Sequence, residues 1–197
     1  MAAFWRLLIV AGMPALVAAC AQLPSVPVVD RLDAIPDPGH VAHFRLEGRL
    51  SVRADERSFS GGVVWLRRPG EESLLLSSPL GQGVAEIRRE PDGMRLTDAE
   101  GKTQTAASGE ALLDRVLGVR LPVGSLVYWL SGRPHPGKAF TAELDPVGRV
   151  AAVNQDGWRI EYGRYRQEEG RWLPGKIFAQ RGEGVEFRLV VDAWAAP

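Results

Sequence analysis

From Phe44 onward the chain alternates. Phe44, Leu46, Gly48, Leu50 and Val52 fall on one side, and Arg45, Glu47, Arg49, Ser51 and Arg53 on the other. An amphipathic helix would repeat its apolar positions every three to four residues, so period two sustained over residues 44–53 dictates a strand. One face of that strand is apolar and the other charged, which places it in an antiparallel sheet covered on one side only. The same pattern returns near the C-terminus, where Val185, Phe187, Leu189 and Val191 alternate with Glu186, Arg188 and Asp192.

Turn chemistry divides what lies between. The 22 glycines and 14 prolines recur at short intervals, which suits many short strands better than a few long helices. Strands are expected over 59–66, 73–77, 84–89, 94–98 and 102–106. They are separated by Arg67-Arg68-Pro69-Gly70, by Ser78-Pro79-Leu80-Gly81-Gln82-Gly83 and by Pro91-Asp92-Gly93. Further strands fall at 139–144, 149–154, 158–162, 176–180 and 185–194. Two helices interrupt the series. The first is capped by Ser108, carries Glu110 in its opening turn and lines up Leu112, Leu113, Val116 and Leu117 before Gly118. The second has Ser125 as candidate N-cap and runs through Leu126, Val127, Tyr128, Trp129 and Leu130 to Gly132. Apolar residues almost surround it, so it is buried or faces something greasy. The whole reads as mainly β: about eleven strands in one curved, unclosed antiparallel sheet, with helices on its apolar side.

The N-terminus adds an address. A basic start at Arg6, a short apolar run and Leu16-Val17-Ala18-Ala19 ahead of Cys20 make a secretory signal peptide with the acceptor pattern of bacterial lipoprotein processing. The run is shorter than the ~20 residues a membrane span needs, and Gly12 and Pro14 interrupt it. The expected organisation is a signal peptide over 1–19, a lipid-anchored tether over 20–43 and one folded domain over 44–197. Pro24, Pro27, Pro36 and Pro38 argue against a packed element in the tether, apart from a short helix near 28–35. Losing 1–19 removes only Arg6 and moves the formal charge from zero to minus one, which supplies no basic face for nucleic acid. Cys20 is the chain's single cysteine, so lipidation leaves no thiol for a disulfide or a metal.

Motifs for catalysis are missing. His40, His43 and His135 lie in the tether or a proline-flanked turn and read as solvated. Gly81-Gln82-Gly83 leads into a strand and does not cradle phosphate. No serine stands in a G-x-S-x-G turn, and the acidic residues read as the wet faces of strands. A pair of carboxylates that meets only in space stays open on the sequence. The expectation is a protein that is not an enzyme and needs no cofactor or metal. Instead there is apolar bulk: Trp65, Trp129, Trp158, Trp172 and Trp194 all follow Cys20. Each taken singly fills a core. Together with the apolar second helix they fit a ligand pocket equally well. Its candidate lining is Phe44, Leu46, Leu50, Trp65, Leu76, Leu113, Leu117, Leu126, Trp129, Leu130, Trp158, Ile160, Phe187 and Leu189.

Several of these stretches, in order, resemble the LolB family of outer-membrane lipoproteins. They are Gly48-Arg49-Leu50, Trp65, Ser78-Pro79-Leu80-Gly81, Leu121-Pro122-Val123 and Trp129-Leu130-Ser131-Gly132-Arg133-Pro134. Gly157-Trp158-Arg159-Ile160, Tyr162, Tyr165, Leu173-Pro174 and Trp194 continue the series. The resemblance implies an unclosed eleven-stranded barrel with a helical lid over a hydrophobic cavity. It implies a monomeric receptor that takes acylated lipoprotein cargo from a periplasmic LolA-like carrier and passes it to the outer membrane. It also implies that Leu80, between Pro79 and Gly81, is an exposed leucine that meets the bilayer. A family helix before the first strand must here be short or absent. Ala21, where aspartate would mark inner-membrane retention, favours the outer membrane, with the domain facing the periplasm. A structural lipoprotein with a solid core, or a carrier of another lipid or glycolipid, stays open on the sequence.

Overall fold

The computed structural model describes residues 26–35 and 43–195; the expected signal peptide, Cys20 and His40 lie outside them. Eleven strands from Phe44 onward form one antiparallel sheet. In chain order they are β2 (Phe44–Ala54), β3 (Arg57–Arg68), β4 (Glu71–Ser77), β5 (Gly83–Glu90), β6 (Gly93–Asp98), β7 (Thr103–Ala106), β8 (Phe140–Leu144), β9 (Val150–Gln155), β10 (Trp158–Gly163), β13 (Lys176–Arg181) and β14 (Val185–Ala195). A twelfth, β1 (Val28–Val29), joins at the edge beside β8. The order across the sheet is β1-β8-β9-β10-β13-β14-β2-β3-β4-β5-β6-β7, and β1 and β7 do not pair, so the barrel stays open. The sequence expectation of an unclosed antiparallel sheet of eleven strands is met, with the edge piece added.

The alternation in β2 does what its chemistry demands. Phe44, Leu46, Leu50, Val52 and Ala54 are buried, while Arg45, Arg49, Ser51 and Arg53 are exposed. The outward row is stitched across strands by Arg53 to Glu186, Arg49 to Asp192 and Arg159 to Glu143. Surface pairs of this kind, some of them partly buried, add only tenths of a kcal/mol up to about 1 kcal/mol each, so register is set by the apolar inner face. Gly48 faces a bulge between Val191 and Ala193 of β14; a Cβ there would collide with the Val190 carbonyl. Strand bending at this point therefore rests on a missing side chain.

Two helices fill the concave side, α1 (Gly109–Leu117) and α2 (Val123–Trp129). α1 follows Ser108, buries Leu112, Leu113 and Leu117, and ends at Gly118 in the left-handed region, φ 71°. That is the ending its sequence announced. α2 corrects the sequence reading. It starts after Pro122, so Ser125 lies inside the helix and is buried, with its Oγ accepting from Lys138 Nζ at 3.2 Å. Proline before the first turn, with its φ already near helical values, displaced the serine as the helix start.

The region expected as an unpacked tether is also corrected. Pro27 accepts from Leu144 N–H, Val28 and Val29 pair with Glu143 and Ala142, and Ile35 is 4% exposed. The short helix expected near 28–35 is a single 3-10 turn, Leu32–Ala34. Backbone pairing, with Val29 and Ile35 packed against the core while Val28 stays exposed, suffices to pin an edge where no helix forms. A second hairpin, β11 (Arg166–Glu168) with β12 (Arg171–Leu173), escaped the sequence reading because its strands have three residues each. Its turn, Glu169-Gly170, has φ 48° and 79°, positive at both positions as a tight hairpin requires. Among the described residues the core cluster runs from Ile35 to Val191.

Candidate functional site

Beneath α1 and α2 the core is not filled. The inner faces of β2, β3, β4, β5, β6 and β14 stand opposite Leu113 of α1, Val123 and Leu126 of α2, and Leu121 and Leu130 beside α2. The sheet side of the hollow is formed by Leu46 and Leu50, Val63 and Trp65, Leu74, Ile87, Met94, and Phe187 with Leu189. These are the inward positions of each strand's period-two pattern, which is why a greasy wall arises from strands that are half charged. The void amounts to about 50 Å³. A drug-sized ligand needs roughly 300–1,000 Å³. In this conformation α1 and α2 lie close on the sheet, and the hollow between them is smaller than such a ligand.

Of the fourteen residues expected to line a pocket, Leu46, Leu50, Trp65, Leu113, Leu126, Leu130, Phe187 and Leu189 border the hollow. Phe44, Leu76, Leu117, Trp129, Trp158 and Ile160 do not; they are buried beside it, and Trp158 also borders a separate surface hollow with Phe140 and Arg159. Phe44 stands edge-on between Trp65 and Trp194, at 5.5 and 5.6 Å between ring centroids. Trp129 leans on Trp158 at 6.1 Å and donates its indole N–H to Gln155 Oε1 at 3.0 Å. Strand parity tells which residues point inward but not which part of the interior is left empty, and the two groups divide on that. Val63, Leu74, Ile87, Met94, Leu121 and Val123 were missed, although the first four are legible from strand parity alone.

One buried carboxylate belongs to this wall. Glu72 is 8% exposed, accepts from Trp65 Nε1 at 3.3 Å and pairs with Arg89 at 2.5 Å. The strand was expected to begin at Ser73, which hid that Glu72 shares the inward parity of Leu74 and Leu76.

Past the C-terminal end of α2 the packing turns polar, and both ends of the Gln155 amide are hydrogen-bonded. Gln155 Oε1 also accepts from the His135 N–H at 2.8 Å, and its Nε2 donates to the His135 and Lys138 carbonyls at 3.0 and 3.3 Å. His135 packs edge-on against Tyr128 at 4.8 Å, so this histidine is structured and not merely solvated. His43 is exposed.

At the opposite extreme stands Leu80, 88% exposed at the tip of the β4–β5 loop. Pro79 and Gly81 flank it, also exposed. The loop is closed by Ser78 N–H to Gln82 O at 2.7 Å and Gly81 N–H to Ser78 O at 2.9 Å, with Gly81 at φ 85°. A rigid turn thus holds one apolar side chain out into solvent.

Comparison with known proteins agrees with these features. The model of the family described as outer membrane lipoprotein LolB matches residues 42–194. The outer-membrane lipoprotein LolB of Pseudomonas paraeruginosa is 35% identical over 196 residues, covering 96% of this chain and 95% of that one. Its counterpart in Thiobacillus denitrificans is 36% identical over 189 residues, covering 96% and 97%. Among solved structures, the LolA superfamily protein NE2245 from Nitrosomonas europaea superposes with a TM-score of 0.47 at 9% identity, over 86% of this chain and 94% of that one. That superposition is too loose to decide anything about the site.

Proposed function

The chain belongs to the LolB family of outer-membrane lipoproteins, and from that premise we propose that it is a receptor for acylated lipoproteins. It accepts cargo from a periplasmic LolA-like carrier, shelters the acyl chains under α1 and α2, and releases them into the outer membrane. No covalent step is involved. Cys20 carries the lipid that anchors it, the domain faces the periplasm, and the working unit is a monomer.

The observation that carries this reading is the apolar hollow between the sheet and its two-helix lid. Water makes such a shelter necessary. Each exposed methylene costs about 0.8 kcal/mol, so three chains with about 45 methylenes would cost roughly 30 kcal/mol or more. Handover must therefore run from one hollow to the next without exposing the tails. The small void of the closed state favours a lid that opens for cargo, and lid opening spends part of the binding energy. Transfer then runs downhill if this hollow holds acyl chains more tightly than the carrier does, and the bilayer more tightly still.

Leu80 is the bilayer contact in this scheme. One inserted leucine contributes about 1.5–3 kcal/mol, too little to anchor a protein but enough to touch a membrane already held close by Cys20. The decisive experiment incubates the lipid-free chain from residue 21 with a carrier–lipoprotein complex and follows where the cargo goes. Movement of cargo onto this protein supports the receptor. Cargo that stays on the carrier, with no binding of a fluorescent fatty acid, refutes it.

A further inference from the structure

The apolar inner face ends in a row of charges. Strand periodicity puts Arg67 on the same face as Val63 and Trp65, Glu72 on that of Leu74, and Arg89 on that of Ile87. Arg67 pairs in register with Glu72, and Glu72 is bound to Arg89 at 2.5 Å. The row therefore reads Arg67–Glu72–Arg89 across β3, β4 and β5. A second, polar hollow of about 250 Å³ opens over it, bounded by His43, Arg67, Arg68, Glu71, Glu72 and Arg89. Glu72 borders both hollows, so the greasy one and the polar one share a wall.

The charges do not cancel. Glu71 is taken by Arg68 at 2.5 Å and Glu72 by Arg89. Arg67 is half-buried and has no carboxylate partner among the described residues. A half-buried guanidinium, with its fork of donors, is suited to hold an anionic oxygen group. Triacylated cysteine offers only neutral ester and amide carbonyls at its head, so the lipid part of the cargo does not account for this surplus charge.

We propose that the polar hollow around Arg67 seats the anionic head, phosphate or carboxylate, of a second ligand class whose acyl tail lies in the neighbouring hollow: an anionic phospholipid or a free fatty acid. This rests on the acyl-binding reading above. Arg67 would donate to the head's oxygens, while the Arg89–Glu72–Trp65 chain holds the partition between head and tail. Such a ligand would occupy the receptor between deliveries and leave as cargo enters.

The test uses the lipid-free chain from residue 21, wild type, Arg67→Gln and Arg67→Lys, with Arg49→Gln on the outer face as control. Binding of palmitate, of lysophosphatidylglycerol and of a neutral triacylated peptide is measured by displacement of a fluorescent fatty-acid methyl ester. Arg67→Gln is expected to weaken at least one of the two anionic ligands about tenfold, equivalent to about 1.4 kcal/mol, and the triacylated peptide less than twofold. Arg67→Lys should retain most of the anionic affinity. Loss for lysophosphatidylglycerol alone identifies a phospholipid, and loss for palmitate identifies a fatty acid. Equal loss for the neutral peptide, or no loss for either anion, overturns the proposal while leaving the receptor intact. If the wild type binds none of the three, the receptor reading itself fails.

Discussion

Leu80→Glu separates delivery from every other property of the molecule. Leu80 is 88% exposed and sits on a loop closed by its own backbone hydrogen bonds, so replacing it removes almost no native contact. Stability should stay within about 0.5 kcal/mol of wild type. Nearly the whole side chain is free to be buried by a bilayer, which is worth about 1.5–3 kcal/mol. Its loss should therefore slow or weaken membrane delivery roughly 10- to 100-fold. A carboxylate that must stay in water adds to the deficit. The assay loads the mature lipoprotein with acylated cargo, mixes it with liposomes and follows cargo into the floated vesicles, with thermal melting and cargo acceptance measured in parallel. Release within twofold of wild type, at unchanged acceptance and melting, would show that the bilayer is met elsewhere.

Gln155→Leu should destabilise the domain by about 2–4 kcal/mol in denaturant melts, because it orphans the buried Trp129 N–H and the His135 N–H together. Gly61→Ala should cost several kcal/mol, since its Cβ would run into the Ser77 carbonyl on β4. Gly124→Ala in α2 meets nothing within 4 Å and should instead stabilise by up to about 1 kcal/mol. Equal effects of the two glycine substitutions would refute the packing argument. Burial raises the phenol pKa of Tyr162, with Tyr165 adding to it; burial and then Asp145 raise that of Tyr165. Both groups bind protons more tightly folded than unfolded, so their contribution is fully present below about pH 10, the unfolded value, and is lost above it. Urea midpoints should hold through pH 9 and fall beyond 10. Tyr165→Phe should flatten that fall.

Much of this architecture is local in origin and so was open to reading. The alternation of Phe44, Leu46, Leu50 and Val52 with charges depends on nothing beyond strand geometry. The ending of α1 at Gly118 depends only on the ease with which glycine adopts positive φ. Leu80 between proline and glycine marks a tight turn whatever surrounds it. The weaker readings failed where two local signals competed or where the signal was short. Pro122 displaced Ser125 as the start of α2, and strands of two or three residues, β1, β11 and β12, have too few positions to show a period.

What sequence alone determined, then, was the set of inward faces and the greasy character of what they enclose. Which residues border the void and which pack solid was decided by tertiary structure, through sheet curvature and the height at which α2 rests. Leu50 and Leu130 came to face empty space, while Leu76 and Trp129, equally apolar, met neighbours. The charged row of Arg67, Glu72 and Arg89 was likewise invisible until β3, β4 and β5 lay side by side. Its three members come from three successive strands, and only cross-strand register brings a surplus charge to the edge of an apolar hollow.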